Sequence, residues 1–201
     1  MKKTFKLVLI FVGGMIAREL TKYGLKVCIL EKENDVAMGQ SKANSGIVHA
    51  GFDAAEGSLM AKMNVKGSAM MPETCKKLHV PYVNNGSLVV AFSDDEMKHL
   101  EVLLERGKAN GVPEISILSK EELLKKEPNL SPDSFGALYA PTAGIVCPYE
   151  LTIAAAECAV SNGVEFIRNC EVKAITENAD GDTVVLTGDG NGNFVRYTFS
   201  E

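Results

Sequence analysis

Apolar and polar positions over the first 31 residues predict a strand, a helix and a second strand, in that order. Residues 6–12 form a nearly continuous apolar run, which is typical of a strand buried on both faces of a parallel sheet. Gly13 and Gly14 predict a turn, residues 15–23 predict a helix that ends at Gly24, and residues 25–30 predict the second strand. Two strands joined in this way by a helix form a parallel βαβ unit.

The rest of the chain divides into a polar loop, a mixed block, and a helix followed by strands. Residues 34–57 are polar and rich in Gly and Ser, and a long ordered loop usually carries function. The mixed block contains two capping boxes, Ser93–Glu96 and Ser119–Glu122, which predict helix starts. A helix over 149–161 and four strands between residues 164 and 199 then predict a β-meander at the end of the chain.

We therefore predict an α/β fold in which a Rossmann-like nucleotide-binding domain is interrupted by a smaller α+β domain. The predicted parts of the nucleotide-binding domain are residues 1–78 and 147–201, and the predicted insertion is residues 79–146.

One long helix is predicted over residues 59–78, with an internal proline at Pro72. An interior proline costs about 3 kcal/mol and removes a backbone hydrogen bond, so we expect a kink or two shorter helices. Four methionines of this segment are expected to pack in the core rather than to serve chemistry: Met60, Met63, Met70 and Met71.

Composition and charge narrow the classes of function. The chain has 201 residues, of which 46% are hydrophobic and 23% charged, and this excludes a disordered or collagen-like protein. Its net charge of −5 and isoelectric point near 5.4 give no electrostatic basis for binding nucleic acid.

The cysteines and the amino terminus bear on location. Five cysteines without any C-x-x-C pair argue against a disulfide framework or a zinc site, so we expect no metal and a reducing cytoplasm. The basic start and the apolar run also fit a short signal peptide, but the run continues into an amphipathic helix. No apolar stretch reaches the roughly 18 residues that a membrane-spanning helix needs.

Glu31 ends the second strand, where an acidic residue can accept hydrogen bonds from both ribose hydroxyls of an adenine dinucleotide. The alternative is a solvated glutamate at a strand end. The phosphate turn departs from the G-x-G-x-x-G pattern: if Gly13 is the third glycine, Val8 and Ile10 occupy the first two positions. A branched residue there would block close approach of the backbone to a phosphate.

A second candidate segment is SKANSGIVHAGFD, residues 41–53. Its hydroxyl, amide and backbone N–H donors suit a pyrophosphate or a flavin ribityl chain. His49 follows these donors and is flanked by small residues, which leaves space beside the imidazole. The alternative for a single loop histidine is a structural or surface imidazole.

Several linked motifs between about residues 16 and 176 resemble the FAD-dependent oxidoreductases of the D-amino-acid-oxidase-like superfamily. They are ARELTKYGLKVCILEKENDVAMGQSKANSGIVHAGFD, NNGSLVVAF and GALYAPTAGIVCPYELTIAAAECAVSNGVEF. The sequence is most similar to the glycerol-3-phosphate dehydrogenase type, and next to the 2-hydroxyglutarate oxidases.

The resemblance implies FAD as cofactor, residues 1–78 and 147–201 as the FAD-binding domain, and residues 79–146 as part of the substrate domain. It implies hydride transfer to flavin from a hydroxy acid or polyol phosphate. It leaves open a peripheral membrane or electron-acceptor partner. The implied cofactor-binding residues are Gly13, Gly14, Glu31, Lys32, Ser41, Ala43, Asn44, Ser45, Gly46 and Val172. His49 would lie near the flavin ring and is the candidate catalytic residue.

Members of this family are much longer, so we expect a truncated chain that lacks the carboxyl-terminal half. Two alternatives to a working flavoenzyme stay open. One is a catalytically inactive fragment of such an enzyme, and the other is an NAD-binding Rossmann domain, which shares the βαβ start and Glu31.

Overall fold

The computed structural model describes residues 6–8, 12–188 and 194–199. The chain folds into two compact units, Met1–Ser45 with Pro148–Glu201, and Gly46–Cys147. We refer to them as the first and second units.

The first unit contains a parallel sheet, an antiparallel sheet and two helices. Its elements are β1 (Lys6–Val8), α1 (Val12–Leu20), β2 (Val27–Leu30), α5 (Pro148–Ser161), β9 (Glu165–Ile167), β10 (Glu171–Glu177), β11 (Thr183–Gly188) and β12 (Phe194–Phe199). The parallel sheet has the order β1-β2-β9, and β10, β11 and β12 form the predicted antiparallel meander.

β2 is the central strand of the parallel sheet, and other elements of the first unit pack on both of its faces. Val27 and Ile29 pack with Ala17 of α1 and Ala159 of α5, whereas Cys28 and Leu30 lie in a cluster that includes Val185 of β11. This arrangement explains why β2 lacks an alternating polar pattern. It confirms the predicted α/β class and its βαβ start.

The second unit is an α+β body built around two antiparallel sheets. Its elements are β3 (Ile47–Val48), α2 (Leu59–Leu78), β4 (Tyr82–Val83), β5 (Ser87–Ala91), α3 (Asp94–Ala109), β6 (Ser116–Ser119), α4 (Lys120–Lys126), β7 (Gly136–Ala140) and β8 (Gly144–Val146). The sheets have the orders β3-β8-β4 and β5-β7-β6. The main core joins Leu100 and Leu103 of α3 to Leu138 and Ala140 of β7.

This unit begins at Gly46, well before the predicted boundary at 78/79, and ends beside the predicted boundary at 146/147. Residues 46–78 belong to it because they contact its later strands. Ile47 of β3 pairs with Ile145 of β8, and Ser68 Oγ of α2 donates to the Thr142 carbonyl at 2.7 Å. The functional roles given to the two parts remain predictions.

The amino-terminal turn differs from the prediction. Gly13 and Gly14 lie in the first turn of α1, which begins at Val12, rather than in a turn before the helix. A Cβ built on Gly14 would lie 3.6 Å from Ala155 Cβ, so the small residue lies where α1 and α5 approach closely. Gly24 ends the segment as predicted, with φ +65° after a 3₁₀ turn over Thr21–Tyr23. Ile10 lies outside the described residues.

α2 is one helix of 20 residues that continues through Pro72, not two shorter helices. Its buried residues Ala61, Ser68 and Cys75 lie seven positions apart and continue one face of the helix past Pro72. The packing of this face therefore outweighs the free-energy cost of an interior proline. The methionine prediction is wrong for Met60, Met63 and Met70 for this reason, whereas Met71 is half-buried. Met63 and Met70 lie on the opposite face and are 51% and 55% exposed, and Met60 is 61% exposed.

Both predicted capping sites begin helices. Ser119 and Glu122 form the full reciprocal box, whereas at the first site the Ser93 hydroxyl accepts from the Glu96 N–H and the Glu96 carboxylate accepts from the Phe92 N–H. No helix in the described part of the chain combines the length and apolar character needed to cross a membrane.

Candidate functional site

A cleft of about 960 Å³ lies in the first unit beyond the carboxyl end of β2. Its size falls within the range of small-molecule sites, and its position is where open α/β sheets bind ligands. Three segments of the first unit line it: Leu30, Glu31, Lys32, Glu33; Ala37, Met38, Gly39, Gln40, Ser41, Ala43, Asn44; and Cys170, Glu171, Val172.

Glu31 is fixed at this edge by backbone hydrogen bonds to the next strands. Its N–H donates to the Ile167 carbonyl at 2.8 Å, and its carbonyl accepts from the Cys170 N–H at 2.7 Å. These bonds join the end of β2 to β9 and to the start of β10. The position of Glu31 is therefore set by the sheet and not by a flexible loop.

The Glu31 side chain presents one unused carboxylate oxygen. The residue is 6% exposed, and Oε1 accepts from the Glu33 N–H at 2.8 Å. Oε2 has no hydrogen-bond partner among the residues that the structure describes. Because Glu31 lines the cleft, a ligand hydroxyl can donate to this oxygen. This atom suits a pair of ribose hydroxyls.

The opposite wall is the segment from Ala37 to Asn44. Ala37 is buried and has φ +57°, and a 3₁₀ turn follows over Gln40–Lys42. Asn44 Nδ2 donates to the Gln40 carbonyl at 3.0 Å, which closes the turn. Within the described part of the chain, the Ser41 hydroxyl has no hydrogen-bond partner, so it is available as a donor to a ligand oxygen.

The floor of the cleft is apolar and uncharged. Leu30, Cys170 and Val172 line it and belong to the cluster that contains Tyr197 of β12. Burial, followed by interaction with the Cys170 thiol, raises the pKa of Tyr197 to about 12. The apolar side chains of Leu30 and Val172 allow the floor to accept an apolar or aromatic ring.

Some of the predicted cofactor-binding residues lie together at this cleft and some do not. Those that line it are Glu31, Lys32, Ser41, Ala43, Asn44 and Val172. Ser45 is exposed and does not line it, and Gly13 and Gly14 lie in α1 instead. Gly46 and His49 belong to the second unit.

Sequence reasoning missed the residues that precede Ser41 and those that begin β10. Residues 37–40 directly precede the predicted donors in the same polar loop, so they could have been predicted from their position in the sequence. Cys170 and Glu171 gave no such signal, because only the backbone bond between Cys170 and Glu31 brings β10 to the cleft.

In the second unit, His49 directly follows β3 and lies beside an acidic side chain. Its Nδ1 is 3.9 Å from Asp53 Oδ2, and the two side chains are 55% and 43% exposed. This separation is an ion-pair distance and not a hydrogen bond. Both side chains are open to solvent, as a group that acts on a small molecule must be.

The described residues fit the adenosine part of FAD. Glu31 Oε2 is an acceptor without a partner in the described chain, the Ser41 hydroxyl is a donor, and the floor is apolar; a ribose, a ligand oxygen and an adenine ring need groups of these kinds. The phosphate turn falls largely on residues 9–11, which lie outside the described residues.

Comparison with known proteins gives consistent results. The model of the FAD dependent oxidoreductase family, DAO, matches residues 11–198. A glycerol 3-phosphate dehydrogenase from Caloramator mitchellensis is 52% identical over 178 residues, which cover 89% of this chain and 37% of that protein. A mitochondrial L-2-hydroxyglutarate dehydrogenase from Dictyostelium discoideum is 44% identical over 138 residues, or 67% of this chain and 31% of that protein.

Among solved structures, the fold is similar to dithionite-reduced L-alpha-glycerophosphate oxidase from Mycoplasma pneumoniae with FAD bound. The TM-score is 0.87 at 34% identity, and the match covers 96% of this chain and 50% of that one. The chain thus spans about a third to a half of the length of these relatives. Because the family model matches nearly the whole sequence, the resemblance seen in the motifs is confirmed, and the chain belongs to the FAD dependent oxidoreductase family.

Proposed function

We propose that this chain binds FAD and forms part of an oxidoreductase that oxidises a small anionic molecule at a hydroxyl-bearing carbon. The observation that carries the proposal is Glu31, a buried carboxylate with one unpartnered oxygen at the carboxyl end of β2. Relatives named for glycerol 3-phosphate and L-2-hydroxyglutarate support this substrate class, since both compounds are small hydroxylated anions.

The proposed roles follow from the cleft and its surroundings. Glu31 accepts hydrogen bonds from the adenosine ribose, with Lys32 beside it, and the Val172 backbone contacts adenine. Further residues are proposed to line the pyrophosphate and flavin side: Gly13, Gly14, Ser41, Ala43, Asn44, Ser45 and Gly46. A bound flavin would accept the hydride from the substrate carbon.

His49 is the proposed catalytic residue. A neutral imidazole can take the hydroxyl proton as the hydride leaves, which is general base catalysis. Asp53 lies 3.9 Å from Nδ1 and would stabilise the imidazolium that forms. The five free cysteines fit a reducing cytoplasm, and the electron acceptor is proposed to be a partner or a membrane-associated carrier.

The first experiment measures the dissociation constant of FAD by flavin fluorescence for the wild-type chain, Glu31→Gln and Glu33→Gln. Glutamine keeps the acceptor for the Glu33 N–H but replaces Oε2 by a donor, so folding is retained and the ribose bonds are lost. A hydrogen bond to a charged group contributes about 1.5–3 kcal/mol. Glu31→Gln should therefore weaken binding by about 10- to 100-fold.

Glu33→Gln is the matched control, because Glu33 also lines the cleft but its carboxylate is 47% exposed and faces Lys32 at 3.6 Å. Its effect should stay below about fivefold. Equal effects of the two variants would contradict the role of Glu31. Binding of NAD instead of FAD would favour an NAD-binding domain, and a chain that binds neither would favour a catalytically inactive protein.

The second experiment follows the bleaching of flavin absorbance under anaerobic conditions after addition of glycerol 3-phosphate or L-2-hydroxyglutarate. His49→Gln should slow bleaching by about 100-fold or more, whereas His99→Gln on α3 should leave the rate unchanged. Unchanged bleaching in His49→Gln would remove His49 from the mechanism. The absence of bleaching by either compound would contradict the proposed substrate class.

A further inference from the structure

The segment that carries His49 is held by the end of α3. We call residues 49–54 the His49 segment. Asn110, which follows α3, donates through Nδ2 to the carbonyls of Gly51 and Ala54, both at 2.9 Å. One amide group therefore uses both of its N–H bonds to close the segment across more than 50 positions of sequence.

Only a donor can satisfy the two carbonyls that face this position. Both partners of Nδ2 are carbonyl oxygens, so the amide orientation is set by the two acceptors. The other amide atom, Asn110 Oδ1, is buried and has no hydrogen-bond partner in the part of the chain that the structure describes. A carboxylate in place of the amide would put an acceptor against two acceptors.

The rest of the segment is fixed by packing and by one more bond from the same helix. Ala50, Phe52 and Ala54 are buried and alternate with His49 and Asp53, whose side chains are exposed. Arg106 Nη1 of α3 donates to the Asp53 carbonyl at 3.3 Å. The backbone of the segment is thus placed by α3 and by the core.

Burial does not hold the His49 and Asp53 side chains together. The two are about half exposed, and exposed ion pairs contribute little to holding a geometry. Their separation is set by where the backbone puts residues 49 and 53, which is where Asn110 acts.

We propose that Asn110 is a positioning residue for His49: its amide closes the His49 segment and so keeps the Asp53 carboxylate beside His49 Nδ1. A carboxylate beside Nδ1 favours the tautomer that carries its proton on Nδ1 and leaves Nε2 free to accept a proton. The catalytic part of this proposal rests on the proposed function. The clamp, by which we mean the two hydrogen bonds from Asn110 to the His49 segment, does not depend on that function.

The test measures how much the NMR resonances of the His49 ring change when the Asp53 carboxylate is removed. The ring resonances of His49 are assigned with His49→Gln and recorded by NMR at one fixed pH. Their change on Asp53→Asn is then compared in the wild-type chain, in Asn110→Asp and in Asn110→Ala. We expect that change to shrink by about twofold or more in both Asn110 variants, because the segment opens and Asp53 moves away.

Asn84 provides a matched control in the same unit. Its Nδ2 also donates to two carbonyls, those of Pro141 and Ala143 at 2.8 and 2.6 Å, but it holds a different segment. Asn84→Asp and Asn84→Ala should lower the melting temperature and leave the effect of Asp53→Asn on His49 intact. Loss of the effect in both pairs of variants would indicate general loosening and overturn the proposal.

An unchanged effect of Asp53→Asn in folded Asn110 variants would also overturn it. Should Asn110→Asp fail to fold, Asn110→Ala carries the comparison, and hydrogen exchange of the Gly51 and Asp53 amides gives a second measurement. Faster exchange there than in Asn84→Ala supports the clamp. Failure of His49→Gln to slow flavin bleaching would remove the proposed catalytic role without changing this result.

Discussion

Gly107 on α3 offers a sharp test of the packing that supports the His49 segment. A Cβ built on Gly107 would lie 2.5 Å from Ile115 Cδ1 and 3.0 Å from Phe52 Cβ. Both neighbours belong to the main core of the second unit. Ile115 can change rotamer, but Phe52 must move with the His49 segment. Gly107→Ala therefore strains that contact.

The expected magnitude is the difference between two opposing effects. Alanine in a helix interior is favoured over glycine by about 1 kcal/mol. An extra carbon in a packed core costs about 1–3 kcal/mol. The net result for Gly107→Ala is a loss of up to about 2 kcal/mol. For Gly67→Ala on α2, no heavy atom lies within 4 Å of the built Cβ, so only the helix gain of about 1 kcal/mol remains.

Thermal unfolding followed by circular dichroism measures both variants. In a chain of this size, 1 kcal/mol corresponds to about 2–4 °C in melting temperature. Gly67→Ala should raise the melting temperature by a few degrees, and Gly107→Ala should lower it. A Gly107→Ala protein that melts as high as Gly67→Ala would refute the close packing of α3 against Phe52.

Two further predictions concern ionisation. Hydrogen bonds from the backbone and hydroxyl of Ser119 hold the pKa of Glu122 below its usual 4.5, so its contribution to stability is present above about pH 4.5 and is lost as the pH falls below that value. Glu122→Gln should therefore show a shallower fall of melting temperature on acidification than the wild type, and parallel curves would contradict the capping box. Burial raises the pKa of Tyr197 to about 12, so one of the five tyrosines should ionise last in an alkaline titration at 295 nm, and Tyr197→Phe should remove that step. Loss of an earlier step instead would place the Tyr197 hydroxyl in solvent.

Features that depend on near neighbours in sequence could be predicted. The βαβ order, the two capped helix starts and the meander follow from hydrophobic period, capping residues and turn residues, all of which act over a few positions. The place of Glu31 at the end of the second strand could also be predicted, whereas its role in binding stays a prediction. The motif order was likewise enough to identify the family.

Local rules failed where distant residues determine the outcome. Two consecutive glycines predict a turn, yet Gly13 and Gly14 are helical and Gly14 lies against α5. Methionine predicts a buried side chain, yet Met63 and Met70 are exposed. The buried face of α2 is formed by Ala61, Ser68 and Cys75.

The sequence by itself determined the family, the class of fold and the position of Glu31, because each is written in contiguous motifs and local periodicity. Tertiary structure alone decided that Cys170 joins Glu31 at the cleft and that Asn110 closes the His49 segment. Both features depend on hydrogen bonds between positions far apart in the chain. The acceptors of these hydrogen bonds are backbone carbonyls, which every residue has. The sequence of side chains therefore does not show which carbonyl will be used.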